Sequence, residues 1–96
     1  MVISELLSTV NDEQSILIFV KKLREDREKE VKAQSIEPID LFGRGPCEWE
    51  NHTIEDFLEA AMAWAEDSRF GESQGLKGAS PWQKFASFLY CGKIYE

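Results

Sequence analysis

Three observations predict a mainly α fold of three to four helices in one domain, residues 1–96. Apolar residues recur at helical spacing in three separate stretches, each stretch opens on a recognisable N-cap, and the prolines and glycines stand at the edges of those stretches or between them. One long segment, residues 33–52, breaks the pattern; a short β-hairpin there would make the fold α+β instead.

Ser4 to Val10 reads as a short first helix, near 3–10, that stops at Asn11. Asn11-Asp12-Glu13-Gln14 then offers a capping box, with Asn11 as N-cap and Gln14 reaching back. Behind it Ile16, Phe19, Val20, Leu23 and Arg27 form one stripe of a helix near 12–32. Its other face carries solvated pairs such as Lys21–Glu25 and Glu25–Lys29. Arg27 interrupts the apolar stripe, and its stem is expected over the core edge with its head in water.

Pro38, Gly43, Gly45 and Pro46 exclude a helix through residues 33–52. Two arrangements suit the stretch. Ile39–Phe42 and Cys47–Glu50 could pair as a hairpin, or an extended loop could be pinned by Phe42 and Trp49, with Trp49 partly exposed.

The strongest helix follows, near 53–68. Thr53 is its N-cap, Glu55 and Asp56 suit the positive end of the helix dipole, and His52 is placed to staple onto Phe57. Ile54, Phe57, Leu58, Ala61, Trp64 and Ala65 share an arc of about 120°, while Glu55, Glu59 and Glu66 fall within about 40° of one another on the opposite side. Residues 68–79 hold three glycines and read as a mobile loop. Ser80, Pro81 and Gln83 then open a helix near 81–92, with Trp82, Phe85, Ala86 and Leu89 inward, Gly92 as its left-handed close and Lys93 beside its last carbonyls. Ile94 and Tyr95 are expected to tuck back on the body. Phe19, Leu23, Phe57, Leu58, Ala61, Trp64, Trp82, Phe85 and Leu89 are the expected core, with Trp49, Trp64 and Trp82 meeting in one aromatic cluster.

Charge narrows the function classes. The chain carries a formal −7, and residues 37–72 alone hold two basic against ten acidic side chains, net −8. Such a field repels nucleic acid and anionic lipid and steers a basic partner inward. There is no run long enough to span a bilayer and no basic region ahead of an apolar one at the start, so the expected location is the cytoplasm. In a reducing compartment Cys47 and Cys91 are expected to stay free, Cys91 as a small buried hydrophobe and Cys47 in an accessible turn. A single histidine and no phosphate-cradling loop leave no catalytic, cofactor or metal assignment.

Trp49-Glu50-Asn51-His52-Thr53-Ile54-Glu55-Asp56-Phe57-Leu58-Glu59-Ala60, then Ser80-Pro81-Trp82-Gln83-Lys84-Phe85-Ala86, and finally Ile94-Tyr95-Glu96 resemble a small, mostly bacterial family of unknown function. Its members share a W-E-N-x-T helix start, a Trp-x-x-Phe-Ala helix and a Tyr-Glu end, and Ser15 to Asp26 resembles its first helix. The resemblance implies a stand-alone domain with Trp49, Asn51, Thr53 and Trp82 in family-typical places, and it implies no activity, cofactor or catalytic residue.

Two functional readings come from these residues. The first is a non-enzymatic interaction module, of adaptor, inhibitor or immunity type, that offers Glu55, Glu59 and Glu66 to a basic protein surface. The second is a ligand-binding protein or small enzyme that uses Cys47, Trp49 and His52 beside the aromatic cluster. The first is expected, because no convergent catalytic set stands beside the segment.

Overall fold

Short polar side chains decide where the helices begin. The computed structural model describes residues 2–34 and 49–95, which hold four α-helices and no strand: α1 (Ile3–Leu7), α2 (Glu13–Gln34), α3 (Ile54–Ser68) and α4 (Pro81–Ile94). The fold is mainly α. The expected hairpin lies outside the described residues for all but Trp49 and Glu50. Thr53 Oγ1 accepts from the Asp56 amide at 3.0 Å, and Ser80 Oγ accepts from the Gln83 amide at 3.2 Å with Pro81 in the first turn. At α2 the cap is Asp12 and not Asn11. Asp12 Oδ1 accepts the Ser15 amide at 2.8 Å, and Ser15 Oγ accepts the Asn11 and Asp12 amides at 2.8 and 2.9 Å. The short Ser15 hydroxyl closes the box that the sequence reading gave to Gln14. The Ser15 side chain first, and its amide next, hold the Asp12 carboxyl below its ordinary value of 3.8.

Helix α4 is the centre of the domain. It packs on α1, α2 and α3, whereas α2 and α3 do not pack on each other. Its buried positions are Ala86, Ser87, Gly92 and Lys93, so three of the four are small and let neighbouring helices come close. Ile3, Val10, Ile16, Phe19, Leu23, Trp49 and Ala86 form the main core, edged by Leu6, Leu7, Phe57, Leu89 and Tyr90. Gly92 is helical and does not close α4 in the left-handed form. A Cβ there would stand 2.7 Å from the Phe57 ring, so the glycine makes room for an aromatic side chain.

Beyond α3 the chain is wound and not loose. Arg69, Phe70 and Gly71 are all left-handed, at φ of 52°, 57° and 87°. For Arg69 and Phe70 that conformation costs about 1–2 kcal/mol each. Phe70 recovers it by meeting Trp64 edge-on at 5.9 Å and stacking on Phe88 at 5.4 Å. Ser68 Oγ accepts the Gly71 amide, and the Trp64 indole N–H donates to Gln74 Oε1 at 2.8 Å across a 3₁₀ turn at Glu72–Gln74. The first half of the stretch expected to be a mobile loop is thus bound back to α3, through Phe70, Gly71, Ser73 and Gln74.

Several burial expectations are corrected. Trp49 is 4% exposed, whereas Leu58, Phe85 and Trp82 are 49%, 47% and 37% exposed. The three tryptophans do not meet: Trp49 stacks on Phe57 at 6.1 Å, Trp64 belongs with Phe70 and Phe88, and Trp82 stands at the surface. A helical wheel gives direction but not extent. Trp82 points along the same side as Ala86, but it lies in the first turn of α4, ahead of the buried positions. On α3 the arc of buried Ala60, Ala61, Trp64 and Ser68 and half-buried Phe57 is rotated about 50° from the arc that hydrophobicity alone suggests, which leaves Ile54 and Leu58 outside it.

Gly92→Ala should therefore destabilise the domain by about 1–3 kcal/mol, against the roughly 1 kcal/mol that alanine gains at an open helical site. A raised melting temperature would contradict the Phe57 contact. The Asp12 cap contributes stability above its ordinary value of 3.8 and loses it as the pH falls through its lowered folded value. The gap in melting temperature between the wild type and Asp12→Ala should accordingly close in that acid range.

Candidate functional site

The strap from Trp49 to Thr53 enters α3 across the end of α4, because its polar groups complete that helix end. The Glu50 amide donates to the Lys93 carbonyl at 3.0 Å. Asn51 Nδ2 donates to the carbonyls of Gly92 and Tyr95 at 2.9 and 3.0 Å. Asn51 is a cap, as its sequence context suggests, yet the helix that it caps is α4 and the end is the C-terminal one. Tyr95 is half-buried, and its hydroxyl donates to Asp67 on α3, a bond that raises the phenol above its ordinary range.

Below the strap, Trp49 is held on every side. Its indole N–H donates to Asp26 Oδ2 at 2.8 Å, and the same oxygen accepts from Lys93 Nζ at 2.7 Å. The Lys93 ammonium stands 5.7 Å and the Arg27 guanidinium 5.2 Å from the ring centroid, both in cation–π range. Lys93 is thus a buried cation with a counter-ion on α2, and not a solvated one beside the last carbonyls. Arg27 differs from expectation as well. Its Nη2 donates to the His52 carbonyl at 3.0 Å, and its Nη1 lies 3.3 Å from His52 Nδ1. A guanidinium only donates, so Nδ1 accepts and the ring proton is assigned to Nε2. His52 therefore ties α3's entry to α2, where sequence reading had it as a staple on Phe57.

These contacts leave a depression of about 440 Å³ lined by Arg27, Trp49, His52, Thr53, Ile54, Phe57 and Leu58. Trp49 and His52, two members of the expected pocket, do line one concave surface. Cys47 lies outside the described residues. The participation of Arg27 was missed, although an arginine inside an apolar stripe was the signal for it. Cys91 is half-buried, and that burial pushes its thiol up to about 11, which leaves it a poor nucleophile. Among the described residues, no group of three or more His, Cys, Asp and Glu could hold a metal ion, and no helix is long and apolar enough to cross a membrane.

The outer face of α3 is a second surface. Glu55, Glu59 and Glu66 are exposed, and none makes an ion pair within the described residues. They border a shallow groove of about 450 Å³ whose other lining residues are Leu58, Met62 and Ala63. Sequence reading placed the acidic row but overlooked Met62, which falls on the wheel between Leu58 and that row.

Residues 12–96 match the model of the family of unknown function DUF7660, and the chain belongs to that family. No match to the chain was found among curated proteins or among solved structures.

Asp26→Ala removes two bonds at once and strands Lys93 in a largely buried place, so it should cost about 3–5 kcal/mol in chemical denaturation. Adding Lys93→Met should recover part of that loss, because the uncompensated charge disappears. A double variant less stable than Asp26→Ala alone would mean that Lys93 acts through something other than this pair.

Proposed function

We propose that this DUF7660 protein is a non-enzymatic, cytoplasmic interaction module, of adaptor, inhibitor or immunity type, that binds a basic protein surface through the outer face of α3. The observation that carries this reading is the row Glu55, Glu59 and Glu66, exposed and without an ion pair among the described residues. Like charges on successive helical turns repel by a few tenths of a kcal/mol, a small cost that a bound cationic surface would remove. The row lies inside the chain's acidic third, where the net charge of residues 37–72 is −8, so the long-range field and the local surface favour the same partner.

The depression beside Trp49 supports a second reading, a small-ligand site. Its apolar lining and the Arg27 guanidinium suit a compact acid with an apolar body. Against it stands the heavy internal use of those groups, since Trp49 and Arg27 are already committed to Asp26 and His52.

The test changes Glu55, Glu59 and Glu66 together to Gln. The melting temperature should change little, because the repulsion removed between Glu55 and Glu59 is offset by the helix-dipole interaction lost at Glu55. Recovery of a partner from lysate should fall away, and recovery by the wild type should weaken between low and high salt. Equal, salt-independent recovery by both proteins would remove the acidic row from the function.

A further inference from the structure

The outer face of α3 is more than acidic. Ile54, Leu58 and Met62 stand one turn apart on it and are 75%, 49% and 56% exposed, so three of the helix's five large apolar side chains are turned away from the core. At about 100° per residue the ridge drifts toward Glu55, Glu59 and Glu66: Ile54 lies about 100–140° from the three acids, Leu58 about 60–100° and Met62 about 20–60°. The apolar ridge extends about 12 Å and the acidic row about 16 Å, at roughly 1.5 Å per residue.

We infer that the partner element is a cationic amphipathic helix, laid along α3 with its apolar stripe on Ile54, Leu58 and Met62 and its Lys or Arg flank on the acidic row. This rests on the interaction reading above and adds the form of the partner to it. Two strips, one apolar and one charged, about 80° apart on average and running for two to three turns, are complementary to an element with the same two strips on adjoining faces. A helix has them, because residues three and four apart share a face while the flanking positions sit next to it. An extended strand does not, since its period of two sends alternate residues to opposite faces. Ile54 and Leu58 also line the depression over Trp49, so an apolar side chain at one end of the partner has a socket. Charge complementarity selects the sign of the flank.

A phage library of random 18-residue peptides, selected on the folded full chain, tests this without assuming a partner. The expected result is enrichment of peptides with apolar residues at i, i+3 or i+4, and i+7, and Lys or Arg beside them. Synthetic copies should gain helical circular dichroism on binding. They should bind Leu58→Ser/Met62→Ser at least tenfold more weakly, while that variant keeps the wild-type far-ultraviolet spectrum and melting transition. The Glu55→Gln/Glu59→Gln/Glu66→Gln variant should lose both affinity and salt dependence. Enrichment of basic peptides that lack helical spacing and bind Leu58→Ser/Met62→Ser unchanged would overturn the helix and leave the acidic docking surface standing. Failure to enrich basic peptides at all would overturn both.

Discussion

The domain depends on the Asp26 carboxylate, which accepts from the Trp49 indole and the Lys93 ammonium through one oxygen. These three residues come from α2, from the strap ahead of α3 and from the end of α4. Helices α2 and α3 do not pack on each other, so their relation runs through α4 and through this node. A largely buried ion pair is often no better than neutral for stability, because desolvation offsets its attraction. Its use here is geometric. It fixes where Trp49 sits, and Trp49 in turn stacks on Phe57 and receives Arg27, which holds the start of α3 through His52.

Small residues on α4 make that arrangement possible. Ala86 and Ser87 let the other helices approach, and Gly92 lets the Phe57 ring reach the α4 backbone. The larger aromatics of α4 are then displaced to its margins. Phe88 stacks on both Phe85 and Phe70, and Phe70 sits in a strained left-handed turn beside Trp64. The chain therefore has two aromatic groups where one was expected, and the second one secures the turn after α3. Both keep α3 in place with one side buried.

That orientation links fold to function. Because α3 is held by Phe57, Ala60, Ala61 and Trp64, its remaining apolar side chains and its acidic row face outward together. Had the helix been rotated to bury Ile54 and Leu58, the acids would flank a plain polar surface. The exposed apolar ridge and the adjoining carboxylates therefore share one side of the domain.

The sequence by itself determined the helices and most of their starts. Thr53 and Ser80 accept from amides three residues on, and Pro81 acts through its fixed backbone angle, all of which local order is enough to specify. The acidic row on α3 was legible for the same reason, since three residues on one helix share a direction whatever surrounds them. Asn51, Arg27 and Lys93 were not legible in this way. Each carries a polar group whose partner lies at least 25 residues distant, beyond the reach of local pattern. The same limit hid the burial of Trp49 and the exposure of Leu58, Phe85 and Trp82. Periodicity states which residues could face a neighbour, but how far along a helix that neighbour reaches, and from which angle, is settled only when α4 closes on the other three and the contacts of Asp26, Trp49 and Gly92 select one packing.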